Sequence, residues 1–228
     1  MRKTVISLFC ALIALPVLSQ GFEPRETWPF IYEEFLSGEV RSLDGSFVQE
    51  GRYNITVSDG SLLYVDNGGT IMRPDMTRIY KAAVGEDVYV NVLGKMYKVL
   101  SESENGAVLQ CTEINVEKRN AVNIGYGISS STASAQNLVN VQGFDTIGKK
   151  LVLTEQDKYR GEVLPVKQTV YFRIGTLLIP ANRQEVLNVP GVDRKQAGAF
   201  FKQEKIKWKD VASLEKVLAF IYEQLEQK

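Results

Sequence analysis

Residues 52–60 read RYNITVSDG, and the fold prediction starts from them. In this stretch Tyr53, Ile55 and Val57 alternate with polar residues, and the run ends in an Asp-Gly pair. An apolar side chain at every second position is typical of a β-strand with one buried and one solvated face. Asp-Gly pairs suit tight hairpin turns because they tolerate positive φ. The stretch therefore predicts a strand that turns directly into an antiparallel neighbour.

The same pattern continues on both sides of this stretch. Val88, Val90 and Val92 alternate with polar or aromatic residues, and the connections between strand-like runs are too short to hold crossover helices. We therefore expect an antiparallel meander of about seven strands between residues 35 and 116, curled into a small barrel, roll or sandwich. Three further turn pairs divide it: Asp44-Gly45, Asn67-Gly68 and Asn105-Gly106.

The second part of the chain predicts more strands and then helices. Strand-like runs cover residues 150–154, 170–174 and 177–180, and beyond residue 191 the apolar spacing becomes helical. Asp193 and Asp210 are the expected N-caps of two helices. The second helix carries an apolar stripe made of Leu214, Val217, Leu218, Ile221 and Leu225.

These patterns predict a mainly β (α+β) fold with two C-terminal helices packed on the sheet. We assign residues 20–118 to the antiparallel β domain and residues 119–149, rich in Gly, Ser and Asn, to a flexible loop. Residues 150–228 are expected to add a β-hairpin and the two helices to the same domain.

Residues 1–19 have the organisation of a secretory signal peptide. Arg2 and Lys3 precede an apolar run, and the small residues Val17 and Ser19 stand at the −3 and −1 positions of a cut before Gln20. No later segment is apolar enough to suggest a transmembrane span. We expect export to the periplasm or the outer-membrane surface. The exported chain would keep a single cysteine, Cys111, which we expect to be buried.

The chain of 228 residues contains no histidine. This excludes a Ser-His-Asp triad, a Cys-His dyad and any metal or haem site that needs a histidine ligand. The sequence assigns no catalytic residue, no metal site and no cofactor. Whether the protein is an enzyme stays open at this point, with a non-catalytic role favoured.

The densest aromatic and acidic cluster is residues 28–35, WPFIYEEF. Aromatic rings beside carboxylates suit sugar binding, so carbohydrate binding or hydrolysis is one interpretation. The alternative is a structural anchor in which Trp28, Phe30 and Phe35 close one end of the barrel. A barrel holding an apolar ligand inside is a third possibility. The candidate ligand-binding residues are Trp28, Tyr32, Glu33, Glu34 and, in the predicted loop, Tyr126.

Charge is distributed unevenly along the chain. Acidic residues are in excess before residue 149 and basic residues after it, although the totals are 27 each. We expect the basic residues to attract the acidic part of the chain or an acidic neighbour, and we do not expect nucleic acid as a partner. The candidate basic patch interleaves with Trp208 and consists of Lys202, Lys205, Lys207 and Lys209.

Both chain ends resemble an uncharacterised family of exported proteins from Gram-negative gut and oral anaerobes. The resemblance lies in the opening WPFIYEEFLSGEV of residues 28–40 and the ending FFKQEKIKWKD of residues 200–210. It implies an envelope location and a β-rich fold, and it implies no catalytic residue. The expected function is binding or assembly at the cell envelope, with envelope proteins or a surface glycan as partners.

Overall fold

The computed structural model describes residues 21–123 and 153–226. Their strands form one antiparallel sheet in the order β10-β9-β8-β7-β6-β5-β1-β2-β3-β4. The predicted signal peptide, Tyr126 and residues 124–149 of the predicted loop lie outside the described residues. The strands are β1 Leu36–Ser42, β2 Val48–Ile55, β3 Leu62–Val65, β4 Ile71–Met72, β5 Ile79–Val84, β6 Asp87–Val92, β7 Lys95–Ser103, β8 Gly106–Ile114, β9 Val166–Ile174 and β10 Leu177–Pro180.

Three helices of the described residues follow β10, one more than the two predicted, and another lies between β8 and β9; the predicted mainly β fold with C-terminal helices is confirmed. Both expected helix caps also form. The Asp193 carboxylate accepts hydrogen bonds from the backbone N–H groups of Lys195 and Gln196, and the Asp210 carboxylate accepts one from the N–H of Ser213. The apolar stripe of the last helix packs over β8 in one core cluster with Val108. The helices are α1 Val116–Asn123, α2 Arg183–Asn188, α3 Arg194–Gln203 and α4 Val211–Glu226, with 3₁₀ turns at Met76–Arg78 and Glu155–Tyr159.

Each of the four Asp-Gly and Asn-Gly pairs joins two consecutive antiparallel strands, as predicted. The need for glycine is clearest at Gly106, at the start of β8, where φ is +135°. A Cβ at this position would lie 2.1 Å from the carbonyl oxygen of Arg173 on β9. Only glycine therefore allows the β7–β8 hairpin to approach β9 this closely.

The chain order breaks once, at the centre of the sheet. β1 pairs with β2 on one side and with β5 on the other, so β5 returns to the first strand after β4. The loop after β2 also contacts later strands. The N–H of Met96 on β7 donates to the Gly60 carbonyl over 2.9 Å, and the N–H of Ile114 on β8 donates to the Val57 carbonyl over 3.0 Å. These bonds show that the sheet curls round one core cluster.

The structure differs from the sequence prediction at two connections. Residues 119–123, expected to begin the flexible loop, belong to α1 instead. Leu153 and Thr154, expected to end a strand, lie before the 3₁₀ turn Glu155–Tyr159 and are not in a strand. The other residues of that predicted strand, 150–152, lie outside the described residues.

The expected alternation of buried and solvated faces is wrong at two strands. In β2, Asn54 is completely buried together with Thr56, although their spacing predicted the wet face. The reason is that an earlier segment of the chain covers this face. In β6, Tyr89 is buried and Val88 exposed, because Tyr89 faces one core cluster and Val90 faces another on the opposite side of the sheet.

Candidate functional site

Residues 24–35, here called the N-terminal segment, lie across the end of β2. Main-chain bonds hold the segment there: the Val57 N–H donates to the Pro29 carbonyl over 3.0 Å, and the Ile31 N–H to the Ile55 carbonyl over 2.9 Å. The Asn54 side chain adds three more bonds. Its Oδ1 accepts from the Tyr32 N–H at 3.1 Å, and its Nδ2 donates to the carbonyls of Tyr32 and Glu34 at 2.9 and 3.0 Å.

Three rings of the N-terminal segment belong to the protein core. Trp28, Phe30 and Phe35 make edge-to-face contacts with centroids 5.1–6.3 Å apart, and they share a cluster with Leu63 and Ile71 of β3 and β4. Trp28 is only 4% exposed, and its Nε1–H donates to the Tyr32 carbonyl over 3.1 Å. The rings therefore act as a structural anchor, and Trp28 does not offer a ring face to a solvent-borne sugar.

Beside the anchor lies an open depression of about 600 Å³, here called the N-terminal depression. It brings together three of the sequence-predicted site residues, Tyr32, Glu33 and Glu34. Trp28 is not among its lining residues, and Tyr126 is outside the described residues. The remaining lining residues are Phe22, Ile31, Leu36 and Lys158.

The Tyr32 hydroxyl is already used within the protein. It donates to Asp87 Oδ2 over 2.7 Å and lies 2.6 Å from the Tyr89 hydroxyl, which acts as donor because a carboxylate can only accept. Lys98 Nζ completes the chain at 2.6 Å from Asp87 Oδ1. Tyr32 therefore offers its ring to a ligand, whereas its hydroxyl fixes the depression to β6 and β7.

The same network moves the pKa values of its members. Burial is the largest cause that raises the pKa of Tyr32, followed by its bonds to Tyr89 and Asp87. Burial likewise raises the pKa of Tyr89 to about 12. Burial also acts to raise the pKa of Asp87, but the bonds from Lys98 and Tyr32 outweigh it and leave the pKa below its usual value. At neutral pH both tyrosines are protonated and Asp87 is ionised.

The two glutamates differ in how firmly they are held. Glu33 Oε1 accepts a hydrogen bond of 2.9 Å from the hydroxyl of Tyr159, which lies on the 3₁₀ turn. The backbone of Glu34 is fixed by Asn54, while its side chain is exposed at the depression. The depression thus presents one oriented carboxylate and one that is free to turn toward a ligand.

Lys158 is the site residue that sequence reasoning missed. It is only 6% exposed, and its Nζ lies 5.4 Å from the centre of the Trp28 ring and forms an ion pair with Glu155, whose side chain is 83% exposed. Lys158 also lines a second depression of about 490 Å³ beside Arg25. The anchor ring thus positions a buried cation between two open depressions. No local pattern signals this, because a lysine in a polar stretch is ordinarily solvated.

The predicted basic patch spans the last turn of α3 and the connection to α4. Lys202, Lys205, Lys207 and Lys209 are all exposed, and none forms an ion pair with another described residue. The expected attraction between the two parts of the chain is instead seen on β9, where Lys167 forms an ion pair with Glu113 and Arg173 with Glu102.

Cys111 lies on β8 and is 1% exposed. Burial raises the pKa of its thiol in spite of the nearby Lys95 ammonium, so the thiol is protonated at neutral pH. Such a cysteine is a small core residue rather than a nucleophile. Among the residues that the structure describes, no group of three or more Cys, Asp or Glu side chains is arranged to hold a metal ion.

No helix in the described part of the chain has the length and apolar character needed to span a membrane. Comparisons with protein-family models, with curated proteins and with solved structures give no match for this chain. The resemblance of the chain ends to a family of exported proteins stays a prediction.

Proposed function

We propose that this is an exported, non-catalytic binding protein of the cell envelope, whose ligand site is the N-terminal depression. One observation carries the proposal: Glu33, Glu34 and Lys158 line a single open depression whose walls are fixed by buried groups. Its two carboxylates can accept hydrogen bonds or pair with a cation, and Lys158 can donate. Phe22, Ile31 and the Tyr32 ring supply apolar contact.

The local chemistry favours binding over catalysis. The hydroxyl of Tyr32 is bonded to Asp87 and Tyr89, and both tyrosine pKa values are raised, so neither hydroxyl is poised to lose a proton near neutral pH. Glu33 and Glu34 are neighbours in sequence, which is a poor starting point for the opposed acid and base of a glycosidase. A fixed depression with mixed charge is typical of recognition.

Site-specific photo-crosslinking in living cells tests the proposal. A benzophenone side chain at position 34 is expected to capture an envelope component, because Glu34 is exposed at the depression. The matched control is position 93, where Leu93 is 99% exposed in the turn between β6 and β7 and does not line the depression. Equal capture from both positions, or none from position 34, would contradict the proposal.

A carbohydrate is the second candidate ligand, because both carboxylates of the predicted cluster line the same depression. The probes are purified lipopolysaccharide and peptidoglycan fragments, with binding measured by calorimetry. For a sugar ligand, the double variant Glu33→Gln/Glu34→Gln is expected to lose at least tenfold in affinity, since the amides weaken charge-assisted hydrogen bonds. The control is Glu50→Gln/Glu117→Gln, which removes two exposed carboxylates elsewhere. If both double variants bind as the parent does, the carbohydrate hypothesis fails.

A further inference from the structure

Residues 202–209, here called the basic turn, comprise the end of α3 and the connection to α4, and they present positive charge outward. Ile206 and Trp208 are half-buried and pack on the core cluster under the helices, and the Trp208 ring meets Phe201 edge-to-face with centroids 5.2 Å apart. The lysines at 205, 207 and 209 alternate with these two anchors and are exposed. The backbone of the turn is thus fixed from below while the lysine side chains reach into solvent.

The carboxylates closest to these lysines in sequence are occupied by other groups. Glu204 forms an ion pair with Lys216 of α4, with its Oε2 2.8 Å from the lysine Nζ. Asp210 caps α4, because its Oδ2 accepts from both the N–H and the hydroxyl of Ser213 at 2.9 Å. None of the four lysines forms an ion pair with another described residue, although the Lys207 ammonium is near enough to Asp210 to help lower the pKa of that carboxyl.

We propose that this basic turn docks the protein on an anionic phospholipid surface. The four lysines supply the electrostatic attraction, which is worth about 1 kcal/mol per basic residue near an anionic membrane surface. Trp208 lies among them in sequence as a half-buried residue, and amphipathic indole rings are favoured at the depth of lipid headgroups. A flexible soluble polyanion would need the charge but would gain nothing from an aromatic ring held at the centre of the patch.

This inference is separate from the ligand proposed for the N-terminal depression. The depression is built from the N-terminal segment and the 3₁₀ turn at Glu155–Tyr159, whereas the basic turn is built from α3 and α4. Either proposal can therefore fail without the other.

The test measures co-sedimentation of the full chain with vesicles of phosphatidylglycerol mixed with phosphatidylcholine at low ionic strength. The variant Lys207→Gln is expected to lower the partition coefficient roughly five-fold, the factor equivalent to about 1 kcal/mol. Replacing all four lysines by glutamine is expected to abolish salt-sensitive binding. The matched control is Lys118→Gln, which removes an exposed lysine on α1 that forms no ion pair with another described residue. All variants keep the same chain ends, so any affinity of residues 1–20 for lipid cancels in the comparison.

Three outcomes would overturn the proposal. The first is that the fourfold variant, shown to be folded by an unchanged unfolding midpoint, binds the vesicles as well as the parent. The second is that Lys118→Gln weakens binding as much as Lys207→Gln, which would mean that net charge alone is sensed. The third is that soluble polyphosphate binds the turn as tightly as the vesicles do, which would assign the lysines to a soluble polyanion.

Discussion

At the scale of single residues, Asn54 has the largest structural consequence for the site. Its side chain is completely buried and makes three hydrogen bonds to the backbone of the N-terminal segment. The depression exists because this segment stays on β2, so one amide group links the core of the sheet to the shape of the site.

The variant Asn54→Ala is expected to lower the free energy of unfolding by about 3 kcal/mol, because it removes the three hydrogen bonds that this completely buried amide makes to the N-terminal segment. The measurement is urea denaturation of parent and variant. Gln203→Ala, which removes an exposed amide at the end of α3, serves as the control and is expected to change stability by less than about 0.5 kcal/mol. Similar losses in both variants would show that Asn54 has no special role.

The hydroxyl chain of Tyr32 and Tyr89 predicts a loss of stability at alkaline pH. Both folded-state pKa values are raised, so these hydroxyls ionise in the unfolded chain from about pH 10 while they stay protonated in the folded one. Their contribution is complete below pH 10 and is lost as the pH rises toward 12 and beyond. The expected result is that unfolding becomes easier over this range.

The double variant Tyr32→Phe/Tyr89→Phe is expected to make this pH dependence shallower, by at most about 1.4 kcal/mol per pH unit for each hydroxyl. The measurement is the denaturant midpoint as a function of pH, from just below the pKa of free tyrosine, about 10, up to the raised pKa of Tyr89, about 12. An identical slope in parent and double variant would mean that neither hydroxyl is held protonated by the fold.

At the scale of elements, the tight approach of the β7–β8 hairpin to β9 rests on Gly106. The variant Gly106→Ala is expected to lose about 2 kcal/mol or more, because its Cβ would meet the backbone of Arg173 and its φ is unfavourable for alanine. Thermal unfolding measures the loss. Gly45→Ala is the control: it also has positive φ, at +70°, but open space around the added carbon. A loss at position 45 as large as that at position 106 would refute the role of the close contact.

The elements that could be predicted from sequence are those with local signals. Turn pairs such as Asp59-Gly60 and the caps Asp193 and Asp210 act on residues next to them, so their sequence context is sufficient. The return of β5 to β1 and the covering of Asn54 by the N-terminal segment depend on residues far apart in the chain. Alternation alone describes one strand and does not say what covers each face.

The candidate site was predictable to the same extent. The aromatic and acidic density of residues 28–35 pointed to the right segment, and Glu33 and Glu34 do line a depression. The burial of Trp28 and the participation of Lys158 were not predictable. They depend on the contact between these two residues, which lie far apart in the chain.

At the scale of the whole molecule, the proposed export makes a prediction about the mature chain. N-terminal sequencing of protein from the envelope fraction is expected to begin at Gln20, because Val17 and Ser19 suit the cleavage positions. The variant Arg2→Glu/Lys3→Glu is expected to accumulate uncleaved in the cytoplasm. Efficient cleavage and export of that variant, or a mature chain beginning at Met1, would contradict the prediction.

The pairing of β1 with β5 also bears on how the protein folds. β5 to β8 form by successive hairpins, each closing a short loop, whereas the contact of β1 with β5 closes a loop that contains β2, β3 and β4. Closing longer loops costs more chain entropy before any contact compensates for it, so we expect this pairing to form after the hairpins of β5 to β8. A chain crossing a membrane from its N-terminus would expose β1 with one unpaired edge until β5 has followed. Protection of that edge by a binding partner during transit would then directly raise the yield of folded protein.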